Sequence, residues 1–158
     1  IINPTSGKGN IKNYIKEIRK NLEEQNMQVN IQLTKKEYNA RNIVIDHIEE
    51  ADLILVCGGD GTFNETVSAL MELNIKDVSI AYIPMGTTND LARSLDMPIK
   101  DISITKKLLE SKARILDVGR FNHDKYFCYV AAFGVVTDVA YETSQKAKNK
   151  YGRLAYYM

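Results

Sequence analysis

Four times between Ile1 and Arg93 a short apolar run ends in a polar or glycine-bearing turn and gives way to helical periodicity. The apolar runs are Ile1–Ile2, "VNIQLT" at 29–34, "ADLILV" at 51–56 and "VSIAYIP" at 78–84. Ile11, Tyr14, Ile15, Ile18 and Leu22 share one face of a first helix, and Ala40, Ile43, Val44 and Ile48 share a face of a second near 38–49. Further helices are expected over 62–73, after Gly86 and near 101–111. Strands separated by single helices pair in parallel through right-handed crossovers, so the predicted class is α/β, a doubly wound parallel sheet. Near residue 114 the pattern changes, because "ARILDVGRF" and "KYFCYVAAFG" are strand-like runs joined only by the turn Asn122–Asp124. The expected organisation is an α/β domain over 1–113 and the beginning of a β-rich, sandwich-like second domain over 114–158. Ile1 falls inside one strand-like run, without an initiator Met, and Met158 inside another apolar run, so the chain reads as a piece of a longer one.

Charge narrows the partners. Lys plus Arg number 21 against 20 Asp plus Glu, which gives no general attraction to nucleic acid or to a membrane surface. No stretch approaches the roughly 18 apolar residues of a membrane span, and no segment has the form of a signal peptide. Cys57 and Cys128 both lie in apolar strand-like segments, the pattern of buried, reduced thiols in a cytoplasmic protein. His47 and His123 read as helix-face and turn residues, with no metal cluster around them. The stretch Lys146, Lys148, Lys150 and Arg153 reads first as a solvated loop and second as a contact for anionic lipid headgroups.

Ligands of open parallel sheets gather beyond the carboxyl ends of the strands, which directs attention to four loops. These are "NPTSGKGN" at 3–10, Thr34–Lys36, "GGDGTFNE" at 58–65 and "PMGTTNDLAR" at 84–93. In the first, Lys8 can reach a phosphate oxygen, but the loop is neither a Walker A sequence nor a dinucleotide fingerprint: no glycine stands five residues before Gly7, and Lys12 occupies the third glycine position. Thr34 also stands where an NAD-binding fold would place an acidic residue. In the third loop, glycines around Asp60 leave backbone N–H groups at a helix N-terminus, which suits phosphate; a carboxylate there calls for a cation between the two. Thr62 and Glu65 fit a capping box, and Thr87–Asp90 repeats the capping pattern, which leaves Asp60 as the residue without a local structural explanation.

"NPTSG", "GGDGTFNE" and "GTTNDLAR", in this order and each after a strand-like run, resemble the catalytic domain of the diacylglycerol kinase family, which includes sphingosine and ceramide kinases and related bacterial lipid kinases. The resemblance extends to about residue 130, continues more loosely through "AAFGVVTDVAYET" and "YGRLAYYM", and is greatest to a bacterial diacylglycerol kinase. It implies transfer of the γ-phosphate of ATP, with Mg²⁺, to a lipid hydroxyl, diacylglycerol giving phosphatidic acid. It further implies that Asn3, Pro4, Thr5, Ser6, Gly7, Lys8, Thr34, Gly58, Gly59, Asp60, Gly61, Thr62, Phe63, Asn64, Glu65, Thr66, Gly86 and Thr87 line the ATP site. Asp60, Asp90 and Asp117 would stand around Mg²⁺, with Asp60 metal-directed and open to a role as base. The acceptor would be a lipid at the inner membrane surface, met by a cytoplasmic, peripheral protein, with no nucleic acid partner; homodimer formation is left open. A further acidic motif and the base would come from a second domain, so this piece alone is expected to be inactive. Other lipid kinases of the sphingosine type and soluble kinases of the NAD kinase type, which also use a GGDG turn, are the alternatives, as is a nucleotide-binding module without catalysis.

Overall fold

The computed structural model describes residues 1–6, 11–99, 105 and 110–131. Its elements, in order, are α1 (Ile11–Glu23), α2 (Ala40–His47, continued by a 3-10 turn at Ile48–Glu50), β1 (Leu53–Gly58), α3 (Asp60–Glu72), β2 (Ser79–Pro84), α4 (Asp90–Ser94), β3 (Gly119–Phe121) and β4 (Lys125–Phe127). β1 and β2 pair in parallel from Leu53 opposite Ser79 to Gly58 opposite Pro84. Ile2 extends the sheet, bridging in parallel to both Leu33 and Cys57. The backbone bonds are regular: Ile2 N donates to Gln32 O at 2.9 Å, Thr34 N to Ile2 O at 2.9 Å and Asn3 N to Cys57 O at 2.9 Å. The parallel order is therefore the 32–34 segment, the 1–3 segment, β1 and β2. The run 29–34, expected as a full strand, meets the sheet only around Leu33, since the neighbouring segment offers it Ile2 alone as a bridging partner.

The two-residue alternation of β1 and β2 separates two cores. Ile54, Val56 and Tyr82 turn to one face, where α2, α3 and α4 bring Val44, Phe63, Val67, Leu70, Leu91 and Ala92. Cys57 and Ile83 turn to the other face and meet Ile2, Met85 and, from α1, Ile18 and Leu22. Helices thus cover both sides of the sheet, as the doubly wound pattern requires. Each fully buried aliphatic or aromatic side chain contributes about 1.5–3 kcal/mol. Phe63 of α3 stacks obliquely on Tyr82 with ring centroids 4.7 Å apart, fixing α3 over β2.

β3 and β4 form the expected hairpin, antiparallel with Phe121 opposite Lys125. Asn122 and His123 turn it with φ of 48° and 69°, a left-handed conformation that Asn and His tolerate better than branched residues. The strand expected from "ARILDVGRF" contracts to its last three residues, and Ile115 is fully exposed. Gly7, Lys8, most of the helix expected near 101–111, the basic stretch 146–153 and everything from 132 onward lie outside the described residues. Among the described residues no helix is long and apolar enough to cross a membrane. Both cysteines are free, and burial pushes each thiol up to about 11.

Candidate functional site

The glycine turn after β1 is organised differently from the capping pattern its sequence suggests. α3 starts at Asp60, two residues earlier than expected, with Gly59 at the N-cap and no side-chain cap bond. Thr62 and Glu65 therefore lie within the helix and form no capping box. Released from capping, Thr62 and Glu65 each hold a different segment of the chain. Thr62 Oγ1 accepts from Asn3 Nδ2 at 3.1 Å, and Asn3 Oδ1 in turn accepts from Thr5 N at 3.0 Å and Thr5 Oγ1 at 2.8 Å, folding the first loop back on α3. Glu65 Oε2 accepts from Ala40 N at 3.2 Å, at the start of α2. Burial pushes the Glu65 carboxyl up from its ordinary range, with the Ala40 N–H opposing the shift. A capping box does occur, on α2: Asn42 N donates to Asn39 Oδ1 at 3.2 Å and Asn39 N to Asn42 Oδ1 at 3.3 Å.

Asp60 closes the arrangement. Its Oδ2 accepts from Thr88 Oγ1 at 3.2 Å and Asp90 N at 3.0 Å, and its Oδ1 from Leu91 N at 3.2 Å. Asp90 N and Leu91 N are first-turn donors of α4, whose N-cap, Asn89, is left-handed and makes no cap bond. The capping expected from Thr87–Asp90 is thus supplied across the cleft by Asp60. Asn89 instead locks its own loop: Gly86 N donates to its Oδ1 at 2.7 Å, and its Nδ2 donates to Gly86 O at 3.0 Å.

The glycines have separate reasons. A Cβ on Gly86 would lie 2.6 Å from Gly59 Cα, and one on Gly59 would lie 3.1 Å from Gly86 Cα, so the two turns touch backbone to backbone. A Cβ on Gly58 would lie 2.7 Å from the Thr62 side chain. Gly61 differs, since a Cβ there would meet nothing within 4 Å. None of the four adopts a left-handed φ, so conformational freedom is not what selects glycine here.

Together the loops enclose a cleft of 670 Å³ at the carboxyl ends of the strands. Its walls are Asn3, Thr5 and Ser6 from the first loop, Thr34, Lys35, Lys36 and Asn39 from the second, Gly59–Thr62 and Glu65 from the third, and Gly86–Thr88 from the fourth. A hollow of 880 Å³ lies at the opposite end of the sheet, around Ile1, Ile31 and Leu53, and includes none of the glycine turns. We place the site in the smaller cleft because that is where four loops converge with polar side chains. Of the residues assigned to the ATP site, Asn3, Thr5, Ser6, Thr34, Gly59, Asp60, Gly61, Thr62, Glu65, Gly86 and Thr87 are brought together here. Pro4 is exposed outside the cleft, Gly58 is buried under Thr62, and Phe63 belongs to the core. Thr66 is wholly buried and donates to Thr62 O at 3.0 Å, while Asn64 bonds to the hairpin. Lys35, Lys36 and Thr88 join the cleft from loops singled out by sequence, and Asn39 joins it from outside those loops, at the start of α2. Position after a strand end was the available signal for Lys35 and Lys36, and an Asn three residues before another Asn at a helix start was the signal for Asn39.

The expected metal trio is not assembled. Among the described residues no three His, Cys, Asp or Glu side chains come together to hold an ion, and Asp117 is exposed ahead of β3. The Asp60 carboxylate is committed to three protein donors, which leaves little of its acceptor capacity for direct coordination.

Residues 1–121 match the family described as "Diacylglycerol kinase catalytic domain". The whole chain aligns with 51% of a diacylglycerol kinase of Staphylococcus carnosus (strain TM300) at 36% identity, and with 52% of one from Bacillus subtilis (strain 168) at 34% identity. The chain spans about half the length of the curated relatives it matches. A crystal structure of a diacylglycerol kinase from Bacillus anthracis str. Sterne superposes with a TM-score of 0.70 at 30% identity, over 80% of this chain and 43% of that one. With the sheet, the two touching glycine turns and the cleft between them all in place, the chain belongs to the diacylglycerol kinase catalytic domain family.

Proposed function

We propose that this chain forms the nucleotide side of an ATP-dependent lipid kinase, carrying the γ-phosphate donor for a diacylglycerol hydroxyl. Gly61 is the observation that carries the reading. Neither packing nor backbone angle requires a glycine there, yet it lies in the wall of the cleft, where a missing side chain lets a ligand approach the backbone. At the first turn of α3 that backbone presents N–H groups and the positive end of the helix, which together suit a polyphosphate. Lys35 and Lys36 add positive charge at the rim.

In the transfer, the bond from the γ-phosphorus to its bridging oxygen breaks and a bond to the acceptor oxygen forms, while the hydroxyl proton leaves to a base. The residues of the cleft orient the donor for this step, and positioning is the main requirement of phosphoryl transfer. Asp60 serves as the joint between the two glycine turns. A divalent ion, Mg²⁺ in our reading, would supply charge neutralisation on the phosphates, although the described residues form no cage for it. Diacylglycerol as acceptor is supported by the names of the relatives; in our reading a peripheral protein meets it at a membrane surface, with the acceptor side in the β-rich region that begins near residue 114.

Titration calorimetry with Mg·ATP tests the reading. Gly61→Ala is expected to keep the melting temperature, because Ala is the better helix former, and to weaken binding about tenfold by filling the approach. Unchanged affinity in the folded variant would remove the reason for assigning nucleotide to this cleft. For the acceptor, the full-length protein in mixed micelles should label diacylglycerol in preference to sphingosine; the reverse preference would reassign it.

A further inference from the structure

Asn64 lies within the glycine motif but outside the cleft wall, and its amide is spent on the hairpin. Nδ2 donates to Tyr126 O at 3.0 Å, and Oδ1 accepts from Cys128 N at 3.1 Å. These backbone groups flank Phe127, so one side chain completes β4 in the manner of a neighbouring strand. Only a residue with a donor and an acceptor on one planar group can do this. Leu would leave both backbone groups unpaired, and Asp would set a carboxylate against the Tyr126 carbonyl.

The same two turns of α3 hold the 86–91 loop through Asp60, the first loop through Thr62 and α2 through Glu65. The helix that forms the wall of the cleft is therefore also the support of the hairpin, across 62 and 64 residues of sequence. We propose that Asn64 is a positioning residue that couples occupation of the cleft to seating of the β3–β4 hairpin. A ligand on the first turn of α3 restrains that turn, and Asn64, one turn further along, passes the restraint to β4. The inference rests on the reading of the cleft as a nucleotide site, and it adds a role for a residue that does not touch the nucleotide.

Hydrogen exchange of the whole chain with and without Mg·ATP, beside calorimetric affinity, provides the test. In the parent protein exchange at the Cys128 amide is expected to slow about tenfold when the cleft is filled. In Asn64→Ala the amide should exchange about tenfold faster without ligand and lose its response to Mg·ATP, while affinity changes no more than about threefold. A hairpin loosened by the substitution that still tightens normally with ligand would overturn the coupling and leave Asn64 a local prop. Should the Ala variant fail to fold, Asn64→Asp keeps the size and the acceptor for Cys128; loss of the ligand response supports the inference and a full response overturns it. Binding of Mg·ATP with an unresponsive hairpin in the parent protein would overturn this inference alone, whereas absence of binding would overturn the nucleotide reading and the inference with it.

Discussion

At Asp60 one carboxylate takes the place of a helix cap for an element thirty residues away, since Asp90 N and Leu91 N both donate to it. Asp60→Asn keeps the volume but turns one acceptor into a donor facing other donors. Hydrogen bonds to a charged group are worth about 1.5–3 kcal/mol, so the variant is expected to lose about that much stability in denaturant melts. Exchange at the Leu91 amide should rise with it. A variant as stable as the parent would show that the carboxylate is not the joint. Glu65 carries a different liability, a half-buried carboxyl whose pKa is raised chiefly by desolvation. The native state then holds this proton more tightly than the unfolded state, so its contribution favours folding at low pH and is lost as pH rises through the range above the ordinary value of 4.5. Glu65→Gln keeps an acceptor for Ala40 N and removes the charge. Its stability is expected to fall less on going from pH 4 to pH 7 than that of the parent, as read from melting temperatures across that range.

At the scale of elements, α2 is eight residues long and carries a reciprocal Asn39–Asn42 cap. Asn39→Ala should cost about 1 kcal/mol and fray the helix start, visible as faster exchange at Ala40 to Ile43. α2, β1 and β2 were legible in the sequence because apolar period alone specifies them, and the cleft was legible because ligand loops follow strand ends. The start of α3 was not. Thr62 and Glu65 satisfy a local capping pattern, and nothing local reveals that Asn3, 59 residues away, competes for Thr62. Asp60 is the complementary case: it lacked a local explanation because its partners come from the next crossover. Phe63, Asn64 and Thr66 were carried into the site by motif, but helical geometry turns consecutive residues to different neighbours, and these three meet the core, the hairpin and the helix backbone.

For the molecule as a whole, one sheet separates two apolar layers, and the hairpin is attached to one of them from outside. Cys57 and Cys128 report on these parts separately. Burial pushes each thiol up to about 11, which leaves little thiolate at pH 8 and slows alkylation of the closed state. Cys57 is wholly buried between sheet and α1, whereas Cys128 is only partly buried beside the hairpin. Iodoacetamide followed by mass spectrometry is expected to mark Cys128 first and Cys57 only at the rate of global unfolding. Simultaneous labelling would mean that the hairpin and the sheet open as a single unit. The contact of Gly59 with Gly86 has a consequence for anyone wishing to redesign this protein. Because two main chains abut with no side chain between them, the floor of the cleft has no adjustable dimension: it cannot be widened by trimming or narrowed by substitution without parting the turns. A change in what the protein accepts must therefore be written at the outer lip, at Lys35 and Lys36, whose side chains are exposed.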